Sequence, residues 1–358
     1  MGAIIKGRGA ADNREGRFER YRVEPAEEAA DDRGGAGGPR TEVRAERSRR
    51  IISGNDSPDL PFSRSINPYR GCEHGCIYCF ARPTHAYLNL SPGLDFETRL
   101  YYKQNAAELL ERELSRPGYR PQAIQLGANT DPYQPIERGI GLTRSLLEVL
   151  LRFRHPVTIV TKSHLILRDL DLLGELAKLR LCRVMVSVTT LDEALKRGLE
   201  PRTPSPRARL QAIEALARRG VPVGVLAAPM IPAVNDHELE AILKAAASAG
   251  ARSAGYVLLR LPHEVAPLFE RWLHDHLPLR AAHVLSRIAA MREGRLNDAR
   301  FGSRMAGRGV EARLLAQRFA LACRRFGLAA GERVQLEVGA FRVPADRDPQ
   351  LGLDFETG

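Results

Sequence analysis

The strongest constraint on this chain is a short stretch, residues 67–81, that reads N-P-Y-R-G-C-E-H-G-C-I-Y-C-F-A. Three of the five cysteines in the 358-residue sequence, Cys72, Cys76 and Cys79, lie within it. Spacings of three and two residues allow one loop to turn three sulfur atoms to the same side, and glycines next to the cysteines let the backbone wrap around a bulky group. Thiolates are soft ligands that select iron–sulfur clusters, zinc or copper(I). The stretch therefore predicts a metal centre.

Several kinds of metal or thiol site are compatible with cysteines alone. A structural zinc ion needs a fourth ligand, and the nearest candidate, His74, lies inside the loop between two of the cysteines. A redox-active dithiol would use Cys76 and Cys79 and would not need a third cysteine. An odd total of five cysteines indicates a reducing, cytoplasmic setting, in which Cys182 and Cys323 are buried core residues. A four-iron cluster with one iron left open fits three ligands best.

Beyond the cysteines, helical and strand patterns alternate with a period of roughly 30 residues. The strands read as continuous apolar runs, which indicates burial on both faces and hence parallel strands with outer helices, an α/β fold. We predict strands near residue 66 and at residues 122–126, 157–160, 184–188, 221–226 and 254–259. We predict the helices between and after them at residues 103–116, 142–153, 170–179, 207–219, 238–249, 281–291 and 311–326.

Polar residues follow the predicted strands in four sets, at residues 129–131, 161–163, 187–190 and 229–235. Each set alone is typical of turns and helix caps. The carboxyl ends of the strands in such a barrel meet at one mouth, however, and that is where its chemistry lies. Together the four sets are typical of the few polar groups that line a mostly apolar ligand pocket.

The motif C-x-x-x-C-x-aromatic-C, with Tyr78 as the aromatic residue, resembles the signature of the radical S-adenosylmethionine (radical SAM) enzymes. Further stretches agree with this: G-A-N-T-D-P-Y-Q-P at residues 127–135, T-K-S at residues 161–163 and E-P-R-T-P at residues 200–204. They are similar to the branch that contains spore photoproduct lyase and its bacterial relatives. The resemblance covers roughly residues 66–261, about the extent of one large domain.

The resemblance implies a [4Fe-4S] cluster held by the three cysteines, whose open iron binds S-adenosylmethionine (SAM), within a partial (β/α)6 barrel. It also implies an external electron donor of the flavodoxin or ferredoxin type. Lys162 and Ser187 resemble positions that contact the carboxylate and the ribose of the cofactor. Tyr78 resembles a position that packs on adenine, although a tyrosine there can equally anchor the loop.

Other positions in the resembling stretches have less definite roles. Asn129 is expected at the cofactor pocket, but its surroundings contain no cysteine, whereas the lyase branch can carry one there as a hydrogen donor. Photoproduct repair by that route is therefore in doubt. Glu200 and Arg202 either close the cofactor pocket or pair with each other on its rim.

We divide the chain into a disordered leader (1–55), the barrel with its cysteine loop (60–265), a basic helical extension (266–330) and a polar tail (331–358). The first fifty residues hold 12 Lys and Arg against 10 Asp and Glu, so burial cannot offset their ordering entropy. A short strand is predicted at residues 334–338. No apolar run is long enough for a signal peptide or a membrane span, and we expect a cytoplasmic protein without membrane contact.

The segment from residue 286 to residue 325 holds ten arginines against three acidic residues, a net +7 of the chain's +11. This basic segment is either a solvated surface or a contact surface for a polyanion, since the arginine guanidinium can form two hydrogen bonds to one phosphate group. A Gly-Arg loop places Arg300, Arg304 and Arg308 where they could bind nucleic acid. Two hypotheses follow. The chain is either a radical SAM enzyme with an unidentified substrate, for which nucleic acid is one candidate, or a metal-stabilised nucleic-acid-binding module without radical chemistry.

Overall fold

The computed structural model describes residues 4–18, 39–331 and 335–344. Its strands are β1 (Glu42–Glu46), β2 (Ile52–Gly54), β3 (Arg64–Ile66), β4 (Tyr69–Arg70), β5 (Arg99–Lys103), β6 (Ile124–Leu126), β7 (Val157–Thr161), β8 (Cys182–Ser187), β9 (Val223–Met230), β10 (Ser253–Leu258) and β11 (Ala329–Ala330). Its α-helices are α1 (Asp95–Thr98), α2 (Ala106–Leu114), α3 (Glu137–Ile140), α4 (Leu142–Arg152), α5 (Leu170–Lys178), α6 (Glu193–Leu199), α7 (Pro206–Arg218), α8 (Leu239–Ser248), α9 (Val265–His276), α10 (Ala281–Ala290) and α11 (Gly309–Phe326). Short 3-10 helices lie at Arg82–Leu88, His164–Asp169 and Asp236–Glu238.

The centre of the fold is a sheet in which six strands run parallel in the order β3, β6, β7, β8, β9, β10. β2 pairs antiparallel with β3 at one edge, and β11 pairs parallel with β10 at the other. The strand order ends at β2 and β11, so the sheet forms an open, partial barrel. These six strands are the six predicted from apolar runs, and the predicted α/β partial (β/α)6 barrel is confirmed.

Local sequence signals account for these elements. In β9 every residue except Leu226 is buried, which is why the strand reads as a continuous apolar run. At the start of α7 the Ser205 hydroxyl accepts a hydrogen bond from the Ala208 N–H at 3.1 Å, and Pro206 is the first helical residue. Both residues directly precede the helix predicted at residues 207–219, and a serine cap followed by proline is a typical helix start.

The basic extension, α9 to α11, packs against the barrel. Phe269 and Trp272 of α9 are buried in an apolar cluster that includes Ile77 of the cysteine stretch. The Leu258 N–H at the end of β10 donates to the carbonyl of Met305 at 2.8 Å. The extension therefore continues the apolar core of the barrel and covers one side of the cysteine stretch.

Two features differ from the predictions. The strand predicted at 334–338 is wrong for residues 335–338, which contain no strand, and its first residue lies outside the described residues. A second sheet, in which β1 pairs parallel with β5 and β5 pairs antiparallel with β4, was not predicted. Within the described part of the chain, no helix has both the length and the apolar character needed to cross a membrane.

The predicted disordered leader lies partly outside the described residues, at 1–3 and 19–38. Its described part differs from the expectation, because it forms β1 and β2 and specific contacts with the barrel. The backbone N–H groups of Gly9 and Ala10 donate to the Glu97 carboxylate at 3.0 and 2.9 Å. A charged composition does not reveal such contacts, since a paired charge and a solvated one look the same in sequence.

Glu97 also pairs with Arg82, and both side chains are fully buried. Arg82 Nη2 lies 2.5 Å from Glu97 Oε1. The other donors of the guanidinium bind the carbonyl oxygens of Cys76 at 2.9 Å, of Gly75 at 3.3 Å and of residues 92–93 at 3.1 and 3.0 Å. Only arginine offers five donors in one plane for so many acceptors. The pair therefore joins the N-terminal segment to the cysteine stretch.

We predict that Arg82→Gln lowers the free energy of unfolding by about 3 to 5 kcal/mol, because it leaves the Glu97 carboxylate buried without its counterion. Chemical denaturation followed by circular dichroism measures the change. Arg99→Gln is the matched control, since Arg99 is half exposed and lies 3.5 Å from Asp95. Its loss should cost at most about 1 kcal/mol. Equal losses in the two variants would contradict the importance of the buried pair.

Candidate functional site

The cysteine loop, residues 71–79, follows the carboxyl end of β3 after the short strand β4. The Cys72 N–H donates to the carbonyl of Phe96 at 2.9 Å, which fixes the start of the loop. Gly71 has a φ of 75°, and a Cβ at this position would lie 2.9 Å from the Phe96 carbonyl oxygen. Glycine is therefore required both for the backbone conformation and for the close approach of the two segments.

Burial disfavours free thiolates in this loop. Cys72 and Cys76 are buried, and Cys79 is partly buried. Burial is the largest effect on all three thiols and raises the pKa of each. The carboxylate of Asp131 raises the pKa of Cys72 further, and that of Glu200 raises the pKa of Cys76. Three thiolates here need a positively charged partner, which a metal centre supplies, so the donor set fits such a group.

His74, the nearest candidate for a fourth zinc ligand, is engaged elsewhere. The side chain is buried, and its Nδ1 lies 3.4 Å from Asp131 Oδ2. Burial lowers the pKa of His74 to about 4. Among the described residues, no three His, Cys, Asp or Glu side chains meet around one point that could hold a single metal ion.

Tyr78 is anchored by a buried carboxylate. Its hydroxyl donates to Glu200 and lies 3.2 Å from Thr189 Oγ1. Thr189 donates to Glu200 at 2.7 Å, and Arg209 forms an ion pair with the same carboxylate. Burial raises the pKa of Glu200, and the charge of Arg209 opposes that shift. The hydroxyl of Tyr78 thus anchors the loop, one of its two predicted roles; packing on adenine stays a prediction.

Lys162 follows β7 directly and reaches the same network. Its Nζ lies 3.7 Å from Glu200 Oε1 and 5.9 Å from the centre of the Tyr78 ring. Its backbone N–H donates to Asp131 at 2.8 Å. The structure therefore brings the predicted residues Lys162, Tyr78 and Glu200 together next to the cysteines.

Arg202 and Glu200 do not pair with each other, so that predicted alternative is wrong. Arg202 lies 3.0 Å from Glu73, within the cysteine loop, and its backbone N–H donates to the carbonyl of His74 at 3.3 Å. Glu200 is fully buried and has Arg209 as its counterion. Arg202 therefore binds the outer side of the loop, while Glu200 lies inside.

Asn129 and Ser187 have backbone contacts at the mouth. The Asn129 N–H donates to Asn67 Oδ1 at 3.0 Å, which ties the loop after β6 to the cysteine stretch. Ser187 is the buried last residue of β8, and its carbonyl accepts from Arg209 at 3.1 Å. Both residues lie at strand ends, as predicted, although neither side chain meets the cysteines through a described contact.

Gln134 supports the loop directly but was not among the predicted site residues, whereas Asp131 belongs to the polar set predicted at residues 129–131. Gln134 accepts a hydrogen bond from the Glu73 N–H at 2.8 Å and donates to the Gly71 carbonyl at 3.2 Å. Asp131 accepts from the Thr161 hydroxyl at 2.7 Å. Both belong to N-T-D-P-Y-Q-P, so the motif contained the signal, but only the fold shows which of its side chains face the loop.

The three arginines predicted to bind nucleic acid all form ion pairs within the chain. Arg304 Nε lies 2.6 Å from Asp59, and Arg300 and Arg308 share Glu293 at 2.5 and 3.1 Å. The carboxylate partners of these guanidinium groups compete with a phosphate for them. Nucleic-acid binding stays a prediction, and these ion pairs give it no support.

Comparisons with known sequences agree with this geometry. The family model described as "Radical SAM superfamily" matches residues 66–246. An uncharacterised protein of Mycobacterium tuberculosis is 41% identical over 216 residues, which cover 60% of this chain and 64% of that protein. An uncharacterised protein of Methanocaldococcus jannaschii is 30% identical over 173 residues, 48% of this chain and 62% of that protein. Both alignments span less than two thirds of the relative.

Solved structures share the fold. Spore photoproduct lyase complexed with dinucleoside spore photoproduct superposes with a TM-score of 0.58 at 17% identity, over 80% of this chain and 81% of that chain. A mutant of the lyase with bound AdoMet and the dinucleoside photoproduct gives 0.57 at 16% identity, over 82% of each chain. At these identities the likeness concerns the fold alone. Because the family model spans half of the chain, including the cysteine loop and most of the parallel sheet, this chain belongs to the radical SAM superfamily, which implies SAM and an iron–sulfur cluster as its cofactors.

Proposed function

We propose that this chain is an enzyme in which Cys72, Cys76 and Cys79 hold a [4Fe-4S] cluster that acts on SAM. One observation carries the proposal: a single buried loop presents three cysteines at the mouth of a parallel sheet. The three cysteines would hold the cluster and would leave a position on it for SAM. The positive iron core would also offset the burial that disfavours thiolates in this loop.

When bound, the cluster would supply reductive cleavage of SAM. The products are methionine and a 5′-deoxyadenosyl radical, which abstracts hydrogen from the substrate. The protein positions the loop and excludes water. Arg82 binds the carbonyl oxygens of the loop from one side, and Glu200 anchors Tyr78 from the other. Cys76 belongs to a buried apolar cluster that also includes Leu259 and excludes solvent.

We assign Lys162 to the carboxylate of SAM and Ser187 to its ribose. Glu200 already has Arg209 as its counterion, so the ammonium of Lys162 remains available for a second anionic group. The side chain of Lys162 is 18% exposed, enough to meet a ligand while remaining sheltered. Asn129 would lie beside the same ligand, after β6.

The cluster needs an electron from an external donor, which we propose to be of the flavodoxin or ferredoxin type. The reaction on the substrate is either lyase-like or oxidoreductase-like. The segment around Asn129 contains no cysteine, so the proposal does not include a reaction in which a cysteine there returns hydrogen. The alternative, a nucleic-acid-binding module with a structural metal, is not favoured, because the arginines it would use are paired within the chain.

Cys76→Ala is expected to prevent assembly of the full cluster, because a methyl group cannot replace a soft thiolate ligand. After anaerobic reconstitution the parent should hold about four iron and four sulfide per chain and form 5′-deoxyadenosine from SAM, and the variant should lose both properties. Cys182→Ala is the matched control, because Cys182 is a buried residue of β8. Full iron content in Cys76→Ala would remove the ligand assignment, and one zinc without iron in the parent would support the binding module.

Lys162→Ala is expected to leave the iron content unchanged and to weaken SAM binding roughly tenfold to a hundredfold, because a charge-assisted contact to a carboxylate is lost. Equilibrium dialysis of SAM against the reconstituted protein measures this. Lys178→Ala is the control, since Lys178 is an exposed lysine whose partner is Glu175. Unchanged SAM affinity in Lys162→Ala would exclude the residue from the SAM site.

A further inference from the structure

Arg260 lies two residues beyond β10, at the same end of the sheet as the cysteine loop. The N–H of the preceding residue, Leu259, donates to the carbonyl of Met230, the last residue of β9, at 2.9 Å. The Arg260 guanidinium carbon lies 5.8 Å from the centre of the Phe80 ring. Phe80 directly follows Cys79 and is 48% exposed. Arg260 is therefore close both to the cysteine loop and to a ring that a ligand can reach.

Within the described residues, the Arg260 guanidinium has no carboxylate partner. Its buried Nε has no hydrogen-bond partner there, and its Nη1 contacts only the thioether of Met305, a weak acceptor, at 3.8 Å. Neighbouring arginines differ: Arg304 pairs with Asp59, and Arg292 donates to backbone carbonyl oxygens. A partly desolvated charge without a hydrogen-bonded carboxylate is costly, so Arg260 gains free energy if an anion binds beside it.

Near Arg260, the loop between β2 and β3 contacts the basic extension. Asp59, in the loop between β2 and β3, accepts from the Gly302 N–H at 2.7 Å and from Arg304 at 2.6 Å. Met305, directly after Arg304, accepts a hydrogen bond from the last residue of β10, so this contact connects the loop between β2 and β3 to the end of β10. Burial and then the charge of Arg304 lower the pKa of Arg260, while the nearby carboxylate of Asp59 raises it.

We propose that Arg260 binds an oxyanion of the substrate, a phosphate or a carboxylate group. The inference rests on the proposed function only in assigning this anion to the substrate. The Nε and Nη groups of arginine form a fork that matches two oxygen atoms of such a group. Phe80 would contact the apolar or aromatic part of the same molecule. The substrate class is therefore an anionic molecule whose charged group lies beside the cysteine loop.

The test uses the reconstituted protein with saturating SAM, so that Lys162 is occupied. Equilibrium dialysis with labelled orthophosphate and with labelled acetate, at constant ionic strength, measures oxyanion affinity in the parent, Arg260→Gln, Arg260→Lys and Arg138→Gln. Arg138 is an exposed arginine of α3 and serves as the control. We expect Arg260→Gln to weaken binding of the preferred ion about tenfold or more, Arg260→Lys to weaken it less, and Arg138→Gln to leave it unchanged.

Preference for orthophosphate would assign a phosphate group to the substrate, and preference for acetate would assign a carboxylate. The inference is overturned if the parent binds neither ion, if Arg260→Gln binds as the parent does, or if Arg138→Gln loses binding instead. Because Arg260→Lys keeps the charge, it stays informative if Arg260→Gln fails to fold. Iron content is measured on the same samples. If the protein holds no iron but still binds the oxyanion through Arg260, the proposed function is overturned, and so is the assignment of the anion to the substrate. The anion site itself would stand.

Discussion

The buried ion pair between Arg82 and Glu97 is the interaction on which the arrangement of the cysteine loop depends. Moving two charges out of water is costly, and the cost is offset only when every remaining donor and acceptor is also satisfied. Here the backbone supplies these partners, through the N–H groups of residues 9–10 and the carbonyl oxygens of residues 75–76 and 92–93. Three separate segments must therefore be in place together, and the loop is held by a side chain outside its own motif.

Glu200 has the corresponding role on the inner side of the loop. It is fully buried and accepts hydrogen bonds from Tyr78, Thr189 and Arg209. Through these residues the loop is connected to the ends of the strands that form the mouth, because Thr189 Oγ1 also lies 2.9 Å from the carbonyl oxygen of Ala228. Two buried carboxylates, each with one arginine as counterion, thus fix the loop without a direct bond to its sulfur atoms.

The arginine-rich extension shows why the number of charges does not predict a binding surface. Arg287 pairs with Glu311 and Arg318 pairs with Glu240, in addition to the pairs of the Gly-Arg loop. Arg292 is buried and donates to several backbone carbonyl oxygens. Much of the positive charge in this segment therefore stabilises the fold. Arg260, which has no carboxylate partner among the described residues, lies outside the cluster of arginines and close to the mouth.

The sequence alone was sufficient to predict the cysteine loop, the six parallel strands and the start of α7 at Ser205. These features depend on spacing, local periodicity and capping, which are properties of residues close together in the chain. The N-terminal contacts and the partners of the charged residues were not predictable in this way. Arg202 binds Glu73 and not Glu200, and Arg304 binds a carboxylate 245 residues away. Coulomb and hydrogen-bond energies depend on the distance between groups in space and not on their separation in sequence. The sequence therefore cannot distinguish an arginine that is solvated from one that is paired or free to bind a ligand. Only the tertiary structure decides among these states.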